Sequence, residues 1–274
     1  MNQNRPLHHL GRVCLPCLLA IPLAVPVAAQ PQIGGGTCTS STLNGTYSLT
    51  LSGRDVSSSV TFSNIVQGVG LATFDGLSKV TFTLTNNTNK GFGVAQTLSG
   101  TYSLQSNCLG AVNITTGDTA SFILGSFNSG TNFFVTGQDG VYSFIGNGNT
   151  QPTATCSASQ LSGTYGFNGN GFALNSNAIA GVNYISGLLT FDGAGTARGD
   201  WYVAAGGPSS PTLTTGTFTV NPNCTATATL TDSSGNAYAL TMIITNVTAA
   251  GAGTNFVFGG SNAKLLFTGT GRTL

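Results

Sequence analysis

The feature that most constrains the fold is an internal duplication. Four short motifs occur twice in the same order, the second copy 116 to 123 positions after the first. The pairs are Thr37-Cys38 and Thr155-Cys156, each followed by a Gly-Thr-Tyr, then Thr73-Phe74-Asp75-Gly76 and Thr190-Phe191-Asp192-Gly193, Gly100-Thr101-Tyr102 and Gly216-Thr217-Phe218, and Gly130-Thr131-Asn132-Phe133 and Gly253-Thr254-Asn255-Phe256. Four matches in register indicate a tandem repeat.

Each copy is about 118 residues long, which is enough for a hydrophobic core of its own. The repeat therefore predicts two similar domains, residues 30–150 and residues 151–274. Gly148, Asn149 and Pro152 interrupt the strand pattern near the division.

Apolar and polar residues alternate along both copies with the period of a half-buried β-strand. Eight strands are predicted in each copy, at residues 45–52, 60–74, 78–86, 97–105, 109–115, 119–126, 131–136 and 140–146, and at residues 163–169, 182–191, 195–205, 213–220, 225–232, 236–246, 254–259 and 263–269. Asp75-Gly76 and Asp192-Gly193 fall between alternating runs, a strong signal for a tight hairpin turn.

Sequential strands joined by short loops predict an all-β fold of two tandem antiparallel eight-stranded up-and-down barrels, because closure removes exposed strand edges. Two β-sandwiches are the alternative. Ala226 and Ala228 fit the tapering interior of a barrel, but they also fit a tight sandwich. One sixteen-stranded outer-membrane barrel is disfavoured because most segments are shorter than the ~9–11 residues that such strands need.

Residues 1–29 have the features of a secretory signal peptide. Arg5 and Arg12 lie before an apolar run at residues 13–27, and Val27-Ala28-Ala29 has the small residues of a cleavage site. A transmembrane anchor is the alternative, but three prolines interrupt a run already shorter than the ~20 residues of a span. We predict cleavage after Ala29, no membrane span in the mature chain, and a secreted, extracellular or periplasmic location.

Four cysteines remain in the predicted mature chain: Cys38, Cys108, Cys156 and Cys224. An even number in an exported chain indicates two disulfides. Of the three possible pairings, only Cys38 with Cys108 and Cys156 with Cys224 gives both copies the same bridge. Cys14 and Cys17 lie in the leader and lack the preceding residues that a lipidated cysteine requires.

Residues 30–274 carry six Lys and Arg against seven Asp, a formal charge of −1, with neither His nor Glu. This balance argues against nucleic acid and anionic membrane surfaces as partners. Without histidine there is no Ser-His-Asp or Cys-His arrangement and no imidazole metal site, and paired cysteines leave no thiolate. We predict no catalytic residue, no metal site and no cofactor.

Most aspartates are interpreted as turn residues: Asp75, Asp118, Asp139, Asp192 and Asp232. The one dense group of unusual side chains is Arg198, Asp200 and Trp201, which are the candidate ligand-binding residues. The alternative is a solvated strand edge beside a core tryptophan.

Several short motifs resemble those of calycin-type barrels, meaning lipocalin-like and avidin-like folds, and of allene-oxide-cyclase-like barrels. The motifs are the first-strand Gly-x-Tyr, the Asp-Gly hairpin and a second Gly-Thr-Tyr strand. The pattern Phe191-Asp192-Gly193-Ala194-Gly195 with Asn223-Cys224-Thr225 also resembles secreted bacterial lipocalin-like proteins. Lipocalins and avidins usually have Trp in the first-strand motif where this chain has Tyr47 and Tyr165, so avidin-like biotin binding is not implied.

The main functional prediction is a secreted, non-catalytic protein that binds a small apolar ligand in the barrel interiors or mouths. An alternative is a structural or adhesin-like protein that binds cell-surface material. The resemblance also allows a lesser alternative, a cyclase-like barrel enzyme.

Overall fold

The computed structural model describes residues 37–56, 64–176, 178–204, 211–248 and 251–274. These residues form two closed eight-stranded antiparallel barrels in tandem. The predicted pair of up-and-down barrels is confirmed, and the β-sandwich alternative is wrong. The predicted signal peptide and its cleavage site lie outside the described residues.

In the first barrel, each strand is hydrogen-bonded to its neighbours in sequence. The strands are β1 (Asn44–Asp55), β2 (Ile65–Asp75), β3 (Lys79–Thr88), β4 (Gly91–Leu104), β5 (Leu109–Thr116), β6 (Ala120–Phe127), β7 (Asn132–Asp139) and β8 (Tyr142–Thr150). β1 also pairs with β8, with Tyr47 opposite Thr150 and Asp55 opposite Tyr142, and this pairing closes the ring.

The second barrel repeats this order. Its strands are β9 (Ser162–Asn175), β10 (Ala178–Asp192), β11 (Thr196–Ala204), β12 (Thr212–Val220), β13 (Thr225–Asp232), β14 (Ala237–Val247), β15 (Gly253–Asn262) and β16 (Leu265–Thr273). β9 pairs with both β10 and β16, so the last strand closes this barrel.

The inward side chains of each barrel form a separate hydrophobic core. Both cores contain the same kind of contact, in which an aromatic ring lies over a glycine of the next strand. A β-carbon added to Gly148 would come within 2.1 Å of the Phe133 ring, and one added to Gly271 within 2.2 Å of the Phe256 ring. Larger residues at these glycines would displace the rings.

A 3-10 turn lies at one end of each barrel, before its first strand: Ser40–Thr42 and Ala158–Gln160. We call each of these two turns a plug, the end of the barrel where it lies the plug end, and the opposite end the open end. The leucine after each turn, Leu43 or Leu161, is fully buried in the core. A third 3-10 turn, Asn128–Gly130, joins β6 to β7 at the plug end.

A disulfide fastens each plug to the barrel wall. Cys38–Cys108 ties the residues before the first plug to the β4–β5 connection, and Cys156–Cys224 ties the second plug to the β12–β13 connection. The predicted pairing is confirmed.

Buried tyrosine hydroxyls also hold the plugs. The Tyr102 hydroxyl donates to the carbonyl oxygens of Ser40 and Leu43, at 2.8 and 2.9 Å. Tyr165 in the second barrel donates to the Gln160 carbonyl of the second plug at 3.3 Å, and to the Gly253 carbonyl at the start of β15 at 2.8 Å. Burial, followed by the charge of Asp75, raises the pKa of Tyr102 to about 12.

The Asp-Gly hairpins show why aspartate is the residue at both turns. Oδ1 of Asp192 accepts the N–H groups of Ala194, Gly195 and Thr196 at 2.8 Å each. These hydrogen bonds, the strongest from Thr196, lower the pKa of Asp192 to about 2. Asp75 makes the same three contacts in the first barrel, and its pKa is lowered too.

The described residues of the two barrels pack against each other within one compact unit. The outward face of β2 meets the outward faces of β14, β15 and β16. One apolar cluster joins Val69 to Ile243 and Val257, and another joins Ile65 to Leu266. The Thr268 hydroxyl donates to Gln67 Oε1 at 2.8 Å across this interface.

Candidate functional site

A cavity of about 340 Å³ lies at the open end of the first barrel. Its walls come from seven strands, all but β5, and from the connection between β5 and β6. The lining side chains include the apolar residues Leu51, Val66, Leu84, Leu98, Ala120, Phe122 and Phe144 and the polar residues Asn86, Thr88, Gln96, Asp118, Asp139 and Tyr142. The site therefore has an apolar floor and a polar rim.

The floor of the cavity is aromatic on one side. The Phe122 ring lies 5.9 Å from the Phe144 ring and 6.5 Å from the Phe82 ring, measured between centroids. Leu84, Leu98 and Phe122 are buried, whereas Phe144 and Tyr142 are half-buried and reach toward the mouth. An apolar molecule here would replace water against hydrocarbon surface.

Side chains at the rim are held in place by hydrogen bonds. Asn86 Nδ2 donates to Gln96 Oε1 at 2.6 Å. Asp139 Oδ1 accepts the N–H groups of Val141 and Tyr142, both at 2.6 Å. The polar groups of the rim are therefore positioned before any ligand arrives.

The rim is electronegative. Among the described residues that line the cavity, two are carboxylates, Asp118 and Asp139, and none is a cation. The pKa of Tyr142 is raised, first by burial and then by the charges of Asp139 and Asp55. A positive or hydrogen-bond-donating group would be favoured at this mouth.

In the second barrel, larger side chains occupy the corresponding space among the residues that the structure describes. Leu84 of β3 pairs with Gln96 of β4, and Trp201 of β11 pairs with Thr212 of β12 in the same register. Leu84 and Trp201 therefore occupy equivalent positions in the two barrels. The pairs Ile114–Ala120 and Leu230–Tyr238 likewise make Ala120 and Tyr238 equivalent.

The Trp201 side chain, 1% exposed, occupies the interior where the first barrel has its cavity. Its ring meets those of Tyr238 and Phe167 edge-on, with centroids 5.3 and 6.0 Å apart. Its indole N–H has no hydrogen-bond partner in the part of the chain that the structure describes.

The predicted ligand-binding group does not form one site. Arg198 and Asp200 are exposed on the outer face of β11, whereas Trp201 points into the barrel. Adjacent residues of a strand face opposite sides, so Trp201 is separated from the two charges by the sheet. The core-tryptophan interpretation describes its position.

The cavity residues were not predicted from the sequence. The repeat carried a signal for them, because Leu84 and Ala120 are smaller than their counterparts Trp201 and Tyr238. That signal becomes visible once strand register aligns the two copies, since the intervening loops differ in length.

No protein-family model matches the chain, and no curated protein sequence matches it. The lipocalin-like resemblance therefore stays a prediction. Among the described residues, none of the helices is long and apolar enough to cross a membrane. The same residues contain no group of three or more metal-ligating side chains.

Proposed function

We propose that this chain is an exported, non-catalytic binding protein whose first barrel takes up one small, largely apolar molecule through its open end. The observation that carries the proposal is the cavity of about 340 Å³ beside Phe122 and Phe144. Ligand sites are typically concave, mostly apolar and at least about 300 Å³ in volume, with a few fixed polar groups. Small closed barrels of other proteins also hold one small ligand.

Export is supported by the two disulfides, which are typical of oxidising compartments. The signal-peptide features of residues 1–29 point the same way. Ligand binding is favoured over catalysis because Oδ1 of Asp139 already accepts hydrogen bonds from two backbone N–H groups of its own turn.

The rim narrows the class of ligand. A carboxylate ligand would place its charge beside Asp118 and Asp139, whereas an amine or hydroxyl would find acceptors there. We therefore expect a ligand with an apolar body and a donor or cationic end.

Isothermal titration with a matched pair of compounds tests this proposal. 2-Naphthylmethylamine and 2-naphthoic acid share one ring system and differ in the charge of the head group. We expect the amine to bind with one molecule per chain and more tightly than the acid. Neither compound binding, or the acid binding more tightly, would overturn the proposal.

A variant that fills the cavity tests where the ligand binds. Ala120→Tyr copies the second barrel's Tyr238 and should abolish amine binding. Ile123→Tyr adds the same ring on the exposed outer face of the same strand and should leave binding unchanged. Binding that survives Ala120→Tyr would contradict the assigned position.

A further inference from the structure

A second and larger cavity, about 570 Å³, lies on the outer face of the second barrel. It is a groove between that face and Thr50 of β1 in the first barrel. Its floor is the outward side of four neighbouring strands, β11, β10, β9 and β16. We call it the outer groove.

Strand register arranges the groove side chains in two rows. The first row consists of residues that lie directly opposite one another on adjacent strands: Tyr202, Ser186, Asn168 and Thr270. The second row consists in the same way of Tyr184, Asn170 and Thr268. Each row therefore runs from a tyrosine through an asparagine to a threonine. Thr268 is buried against Gln67 of the first barrel, at the edge of the groove, whereas the other side chains of the two rows are exposed to solvent.

The tyrosines are unusually open. Tyr184 is 63% exposed and Tyr202 is 50% exposed, in a chain whose other tyrosines are buried or half-buried. Their neighbours Asn168 and Asn170 are also exposed, and neither amide has a hydrogen-bond partner among the described residues. Aromatic faces and free amides thus lie side by side.

From these side chains, we propose that the outer groove binds a neutral oligosaccharide. A carboxamide both donates and accepts hydrogen bonds, as do the hydroxyls of Ser, Thr and Tyr, and a sugar hydroxyl needs partners of both kinds. The C–H face of a sugar ring can lie on a tyrosine ring, which supplies broad apolar contact beside a polar edge.

Other ligand classes fit the groove less well. None of the described residues that line it is charged, so an ionic ligand would lose water without gaining a counter-charge. A purely apolar ligand would bury the amides and hydroxyls without partners. A peptide could not add as a further strand, because the described barrel is closed and has no free edge here.

Affinity electrophoresis in native gels tests the proposal with defined probes. The gels contain soluble amylose, hydroxyethylcellulose, xylan or galactomannan, with heparin as a polyanion. We expect at least one neutral polysaccharide to retard the full chain and heparin not to. Retardation by none of the neutral polymers, or by heparin alone, would overturn the proposal.

Variants tie the effect to the groove. Tyr184→Ala with Tyr202→Ala should weaken binding to the retarding polymer by about tenfold or more, because two ring contacts are lost. Leu213→Ala, on the exposed outer face of β12 outside the groove, is the matched control and should bind as the wild type does. Unchanged retardation of the double variant would contradict the assignment.

Ring retention separates stacking from a general surface effect. Tyr184→Phe with Tyr202→Phe keeps both rings and should retain most of the binding that the alanine variants lose. Equal loss in both double variants would contradict the stacking role. Ala120→Tyr should not affect retardation, so this proposal and that of the first-barrel cavity can fail independently.

Discussion

The two barrels share their scaffold and differ where a ligand could enter. Both have a disulfide-fastened plug and an Asp-Gly hairpin that ties three N–H groups to one carboxylate. At the open end, Leu84 and Ala120 leave a cavity in the first barrel, whereas Trp201 and Tyr238 fill the second.

This difference teaches that the repeated motifs describe the scaffold and not the site. All four duplicated motifs lie at or near the plug end, where they form turns, the plug and its disulfide. The open ends share no such motif. After duplication, the two copies could diverge there without changing the contacts that close each barrel.

Removing one disulfide at a time gives the largest expected effect. Cys38→Ala with Cys108→Ala, and Cys156→Ala with Cys224→Ala, should each lower the free energy of unfolding by about 4 kcal/mol on the chain-entropy model. The two losses should be similar because the bridged residues are 70 and 68 positions apart. Urea unfolding followed by far-UV circular dichroism measures both.

Fluorescence of Trp201, the one tryptophan of the chain, reports the second barrel separately. If one disulfide variant loses less than about 1 kcal/mol, the two bridges are not equivalent staples.

Exchanging the open-end residues should give unequal effects. Trp201→Leu leaves a void in a filled core and should cost about 3 kcal/mol. Leu84→Trp adds volume beside an existing cavity and should cost less than about 1.5 kcal/mol. Urea unfolding measures both variants, and equal losses would contradict the difference in filling.

Removing the Tyr102 hydroxyl should make the first plug more like the second, where the equivalent residue is Phe218. Tyr102→Phe leaves the carbonyl oxygens of Ser40 and Leu43 with one donor fewer and should cost about 1 kcal/mol. The circular dichroism transition should move while the Trp201 fluorescence transition stays in place. A shift of the fluorescence transition alone would contradict the assignment of this contact to the first barrel.

The pH dependence of stability should be the smallest effect over the middle of the range. The pKa of Asp192 is about 2 in the fold, below the unfolded value of about 3.9. Its contribution is therefore complete above about pH 4 and lost as the pH falls through about 2. The pKa of Tyr102 is about 12, above its unfolded value of about 10, so its contribution is lost as the pH rises through about 12.

Between about pH 5 and 9, the midpoint of thermal unfolding should be nearly constant, because residues 30–274 contain neither His nor Glu. Asp192→Asn should flatten the acid limb, and Asp200→Asn, on the exposed face of β11, is its matched control. A steep transition near pH 6 would contradict this prediction.

The sequence predicted the strand number, order and disulfides because alternation, Asp-Gly turns and paired cysteines are local or repeated signals. Strand ends at the open ends were predicted less well. β4 begins at Gly91 rather than residue 97, and β9 continues to Asn175 rather than residue 169. The β4 extension contains two glycines, and the β9 extension contains one glycine and two asparagines. Pairing with neighbouring strands holds both extensions in the sheet.

The first-barrel cavity and the outer groove were harder to predict, because each is formed by residues far apart in the sequence that the pairing of neighbouring strands brings together. The tyrosine, serine, asparagine and threonine of one groove row come from four strands, spread from Asn168 to Thr270. The packing of the barrels left a weak trace in β2, where Ile65, Val69 and Leu71 face outward and Val66 and Ala72 face inward. A strand that is apolar on both faces is covered on both.

Closure of the second barrel by its final strand has a consequence for the order of folding. Strands β1 to β8 are complete once residue 150 has emerged, so the first ring can close while the rest is still being made. The outer face of β2 stays uncovered until β14, β15 and β16 of the second barrel have been made. A truncation before β16 would open the second ring and also uncover part of the first barrel's apolar flank. The nine residues of β16 therefore complete two surfaces at once.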